Sequence, residues 1–224
     1  MRRRRYVFLA SLMGAIFLWS GALRAEELPL WPLPEGFRTA SIGDDLRLNG
    51  VPVRVALFSG IASERDFRRD MERECRQRRG VFQALPDGFR RLWSCVREPY
   101  SQTLRWQSKS GRIEGELSTM RLDASVKESP LPIALPQDAQ VISDLESRDG
   151  STRGRVILVE SRLSVPQLRA ELLRNAASQG WKPVGDLSEQ RERLSLRKPG
   201  ASLDLAFPSD HSRGTKVVLV WQNR

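Results

Sequence analysis

Cysteine and histidine are scarce in this 224-residue chain, which holds two cysteines, Cys75 and Cys95, and one histidine, His211. That scarcity removes most metal and nucleophile chemistry. Two thiols not spaced as Cys-x-x-Cys, with no histidine or carboxylate cluster beside them, cannot complete a zinc shell. A Ser-His-Asp or Cys-His arrangement needs its histidine beside a nucleophile, and His211 falls in the polar turn Pro208 to Gly214 with no such motif attached. A phosphate-cradling Gly-rich loop, a dinucleotide fingerprint and an EF-hand loop are all missing as well. Carboxylate pairs are the acid–base vocabulary that remains, with Asp44-Asp45 and Glu114 with Glu116 as the nearest examples. Adjacent carboxylates on a strand point apart, and an i, i+2 pair on a strand face is a routine solvent-facing pattern. The expectation is a chain without a cofactor or a bound metal, and more readily a binding protein than an enzyme.

Acidic residues are missing from the N-terminus. Arg2, Arg3, Arg4 and Arg5 precede an uncharged run from Tyr6 to Leu23 that ends in the small residues Ser20, Gly21 and Ala22. A positive head, an apolar middle and a small-residue exit are the parts of a secretory signal peptide, here residues 1–25, with cleavage after Ala22 or Ala25. The alternative is a retained inner-membrane anchor, since a run of this length lies at the lower edge of what spans a bilayer. Of the formal net charge of +10, five arginines belong to this leader. What remains is mild and of mixed sign, as in Glu64-Arg65-Asp66 and Arg68-Arg69-Asp70, which describes a solvated helix face and argues against nucleic acid as a partner.

Beyond the leader the chain reads as two similar stretches. Leu33-Pro34 leads to an Asn49-Gly50 turn and the apolar run Val53 to Phe58; Leu135-Pro136 leads to an Asp149-Gly150 turn and the run Val156 to Val159. Both dipeptides favour tight hairpins because their central positions accept positive φ. Helices are expected over about 63–79 and 164–179, each capped by a serine and stopped at Gly80 or Gly180. One face of each is apolar at i, i+4, i+8: Phe67, Met71 and Cys75, then Leu168, Leu172 and Ala176. Alternating strands follow, such as Leu203, Leu205 and Phe207. The expected fold is α+β: a first module over 26–123, a Pro-rich spacer over 124–136 and a second module over 137–224. Each module would be an antiparallel sheet with one helix on one face.

This arrangement sets Cys75 on the apolar helix face and Cys95 on a strand facing it, where the second stretch carries Ala176 and Leu196. In an oxidising compartment the two would form a disulfide. Trp31, in the Pro-flanked segment just past the leader, would either tuck under the first module or offer an aromatic anchor to a partner. The functional expectation is a non-catalytic periplasmic adaptor acting by protein–protein contact in an envelope assembly such as secretion or pilus machinery, with exposed edge strands as contact sites. The alternatives are a periplasmic enzyme using carboxylates on an envelope polymer and an inner-membrane-anchored subunit.

Overall fold

A computed structural model describes residues 28–87, 90–185, 192–208 and 214–223. The leader and its cleavage positions, and His211, lie outside the described residues.

Three strands come first: β1 (Arg38–Ser41), β2 (Asp44–Leu48) and β3 (Val51–Ile61). The helix α1 (Glu64–Gln77) is followed by a meander of β4 (Val81–Asp87), β5 (Arg90–Arg97), β6 (Tyr100–Lys109) and β7 (Arg112–Arg121). After residues 122–139 come β8 (Gln140–Asp149), β9 (Thr152–Ser161), α2 (Val165–Ser178), β10 (Lys182–Pro183), β11 (Arg193–Lys198), β12 (Ala201–Ala206) and β13 (Thr215–Asn223).

The expectation of two α+β modules, each with its own sheet, is overturned. All these strands form one 13-stranded antiparallel sheet, ordered β10-β11-β12-β13-β9-β8-β2-β3-β7-β6-β5-β4, with β1 paired to β3 off this path. Among the described residues strand dominates, and the helices are two elements of 14 residues each. The physical reason lies at the centre. Hairpins β2–β3 and β8–β9 would each leave an outer edge of unpaired amides and carbonyls, which readily pairs with another such edge. Here they pair with each other, through Arg47↔Glu146 and Leu48↔Leu145, with a register shift toward Asp44↔Arg148. The turn residue Asn49 extends the seam: its amide donates to the Asp144 carbonyl at 2.7 Å, and its side-chain oxygen accepts from the Asp144 amide at 2.9 Å.

Directly paired residues share a sheet face, which fixes where the cores lie. Thr119, buried beside Leu117 and Ile113, pairs with Arg54; two residues earlier Pro52 pairs with Arg47, which pairs with Glu146, which pairs with Arg155. Arg155 alternates with Ile157 and Val159. Both helices therefore lie on the same face. Phe67, Met71 and Cys75 of α1 close one apolar cluster, with Trp93, Leu104, Trp106 and Leu117 beneath them. Leu168, Leu172 and Ala176 of α2 close another over Ile157, Leu196, Leu205 and Leu219.

Two irregular segments complete that face. Residues 28–37 cross the first cluster: Arg54 donates to the Leu28 carbonyl at 3.0 Å, while Gln102 and Thr119 donate to that of Pro29 at 3.0 and 2.7 Å. Residues 124–136, expected to be a spacer, instead press onto the sheet. Their Ile133 is fully buried, and the Pro132 carbonyl accepts from the Trp181 indole at 3.2 Å. Arg155 fastens this strap. It is buried, donates to the carbonyls of Pro130 at 2.6 Å and Ser129 at 3.1 Å, and grips the Asp144 carboxylate with two bonds, one of 2.7 Å. The hydrogen bond to Asp144 holds the guanidinium pKa above its ordinary value. Replacing Arg155 by Met strands a largely desolvated carboxylate and frees two carbonyls, so urea unfolding should show a loss of about 2 kcal/mol. Adding Asp144→Leu to that variant should recover part of the loss, because the orphaned charge goes with it.

The helix ends depart from expectation at one place. Ser63 caps α1 through a bond from the Asp66 amide at 3.1 Å, and Ser164 caps α2 in a capping box with Gln167. After α1, however, the left-handed residue is Arg79, at φ 59°, and not Gly80. Gly80 is needed for another reason. A Cβ on it would stand 2.5 Å from the Cys95 sulfur and 2.8 Å from that of Cys75.

Candidate functional site

The main strand path has two ends among the described residues, and they differ; β1, paired only to β3, adds a side edge of four residues that starts with the charged Arg38. At one end β10 is two residues long and consists of exposed Lys182 and Pro183. A short edge with a lysine and a proline resists further pairing. At the other end β4 is seven residues long, hydrogen-bonded to β5 on one side and open on the other. Val81 to Leu85 carries no charge, and Val81 and Leu85 are 61% and 48% exposed. Register with β5 puts Val81, Gln83 and Leu85 on the helix-free face, and Phe82 and Ala84 opposite Cys95 and Trp93 on the helix-bearing face.

Beside this edge, α1 forms one wall of a groove of about 960 Å³. The other wall is the sheet, with Ala84, Trp93 and Trp106 among its lining. The charge on this wall follows from helix geometry. Within α1 five arginines are balanced by five carboxylates, Glu64, Asp66, Asp70, Glu72 and Glu74. Residues four apart share a helix face, so Asp66, Asp70 and Glu74 form one acidic stripe and Arg65, Arg69 and Arg73 the neighbouring basic one. The groove is lined by all five arginines of α1 and by Arg91 of β5, against only Glu64 and Glu72. A helix with no net charge thus presents a basic side to the cleft.

Several of these arginines are held by neighbours on the helix. Arg69 lies 2.8 Å from Asp66 and Arg73 lies 3.0 Å from Asp70, while Arg76 bonds Glu72 at 2.6 Å. The Ser63 hydroxyl, followed by the Arg69 charge, keeps the Asp66 carboxyl below its ordinary pKa. Arg68 and Arg91 are exposed and have no ion-pair partner among the described residues.

The residues singled out by sequence are scattered. Cys75 and Cys95 are joined in a disulfide with their Cα atoms 5.9 Å apart, buried between α1 and β5. Trp31 is 1% exposed and packs edge-on against Phe82 at 6.2 Å. It tucks under the first cluster, so its reading as an aromatic anchor for a partner is corrected: an indole with no accessible surface cannot anchor one. Glu114 and Glu116 lie on the helix-free face. There Gln107 donates to Glu114 at 2.9 Å, and Arg105 and Arg90 stand 3.5 and 3.6 Å from Glu116. Asp45 lies 3.9 Å from Arg47, away from that pair. Glu114 and Glu116 line one open cleft together with Arg38, Arg90 and Arg105, Asp45 stands apart from it, and no three His, Cys, Asp or Glu side chains among the described residues are placed to hold a metal.

Reading the sequence pointed to edge strands in general as contact sites without singling out β4, and it missed the basic groove. The signal for the groove was present in the i, i+4, i+8 sorting of acids and arginines along 64–77, which an average over the helix conceals. The edge had no local signal, because which strand ends the sheet depends on all the others. Comparison with protein-family models, with curated proteins and with solved structures finds no match.

Proposed function

We propose that this chain is an exported, non-catalytic adaptor of the cell envelope, acting by protein–protein contact in an assembly such as secretion or pilus machinery. Its contact site is the outer edge of β4, where a partner adds an extended segment as one more strand. The observation that carries this reading is the contrast between the two sheet ends. One is only two residues long, an exposed Lys-Pro pair, whereas the other runs seven residues and, before it closes in Pro86-Asp87, offers five uncharged residues with Val81 and Leu85 exposed. Unpaired strand amides and carbonyls supply affinity, and alternate side-chain sites beside them supply selectivity. Export is supported by the basic head and apolar run of the first 25 residues, and by a disulfide of a kind that persists in oxidising compartments.

The test is site-directed photocrosslinking in intact cells of the source organism. A photoreactive residue at Gln83 is expected to yield one discrete crosslinked product, whereas one at the exposed Ser178 of α2 yields none. Adding Val81→Lys and Leu85→Lys to the Gln83 probe should reduce that product at least about tenfold, since charge on an edge opposes strand addition. Equal labelling from both positions, or a product indifferent to the lysines, would overturn the site.

A further inference from the structure

On the footing that β4 receives a partner strand, we propose that this strand is acidic on one face, its carboxylates entering the arginine groove beside α1. A strand added to β4 continues the alternation of the sheet, so every second side chain falls on the helix-bearing face and the others on the open face. On the open face its neighbours are Val81, Gln83 and Leu85, which suit apolar or small residues. On the helix-bearing face it lies beside Phe82 and Ala84, next to the groove lined by Arg68 and Arg91 and the other four arginines.

Charge decides between occupants. Of its six arginines, Arg69, Arg73 and Arg76 are held by Asp66, Asp70 and Glu72, and Arg65, Arg68 and Arg91 against Glu64 leave the groove positive. Arg68 and Arg91 have no acidic partner within the described chain, so a carboxylate arriving there displaces no existing ion pair. Guanidinium groups present flat paired donors that match a carboxylate's two oxygens. A second copy of this chain, pairing β4 to β4, would bring two positive grooves together and suffer like-charge repulsion. The structure therefore fits a partner segment alternating acidic and apolar residues.

The experiment uses the full oxidised chain and fluorescent peptides of about twelve residues, long enough to cover the edge. The probes alternate Val with Glu, Ser or Lys, and binding is read by anisotropy. We expect the Glu peptide to bind about tenfold tighter than the Ser peptide, with the Lys peptide weakest. The preference should vanish in the Arg68→Glu/Arg91→Glu variant, whose changes are on exposed side chains, and shrink as salt is raised, because exposed charges are screened. N-methylation of alternate amides in the Glu peptide should abolish binding while leaving its charge intact. Equal affinity for the Glu and Ser peptides, both sensitive to N-methylation, would overturn the acidic preference and leave strand addition standing. Binding of the Glu peptide that survives N-methylation, or no binding of any probe, would overturn strand addition itself. Concentration-dependent dimerisation through β4 would favour the second copy and overturn the acidic partner.

Discussion

Replacing Phe67 by alanine is expected to lower the unfolding free energy by about 4 kcal/mol, the largest single-residue effect anticipated in this chain. The ring is fully buried at the centre of the first cluster. Its centroid lies 5.0 Å from that of Phe37, 6.0 Å from Phe58, 5.4 Å from Trp93 and 5.3 Å from Trp106. Truncation loses the transfer free energy of a phenyl group and opens a cavity that these rigid rings cannot collapse to fill. It also releases Phe37, which stacks on Phe67 from the segment 28–37 and sits over Gly60, where a Cβ would approach its ring within 2.5 Å. Loss of the aromatic near-ultraviolet circular dichroism signal should accompany the drop in urea midpoint. A loss below about 1 kcal/mol would mean that the site repacks freely, contrary to the crowding described.

Removing the disulfide is the second large effect. The Cys75→Ala/Cys95→Ala variant should lose about 3 kcal/mol, as the unfolded chain regains the freedom of a loop spanning 20 residues. Both sulfurs are buried, Cys75 fully, so reductant alone should act slowly on the native protein and quickly once denaturant is added. Denaturant melts with and without reductant separate the two: they should coincide for the double-alanine variant and differ for the parent. Because Gly80 backs directly onto both sulfurs, Gly80→Ala should also destabilise the oxidised parent. In the double-alanine variant, where the sulfurs are gone, the same change should cost much less. An unchanged penalty would place the strain elsewhere.

Much of the local structure was legible before the fold was known. The helix over 64–77 follows from Ser63 as its cap and from Phe67, Met71 and Cys75 at four-residue spacing, and α2 follows from Ser164 and the matching Leu168, Leu172 and Ala176. These signals act over one or two turns and need no knowledge of distant residues. The pairing of Cys75 with Cys95 was legible for a related reason: an apolar helix position and an inward strand position about one hairpin apart tend to meet across a helix–sheet interface. Trp31 was not assignable, because a Pro-flanked apolar segment has the same composition whether it lies in a core or on a surface.

The sequence by itself determined which helix and strand residues turn inward, where the helices and hairpins begin, and which two sulfurs face each other, because each is set by short-range periodicity and capping. Only the tertiary structure decided that the β2 and β8 edges close on each other and leave β4 as the long open edge, and that the arginines of a neutral helix line a single groove beside it. Backbone edges carry the same amides and carbonyls whatever their side chains, so which of them meet is settled by the geometry of the whole sheet.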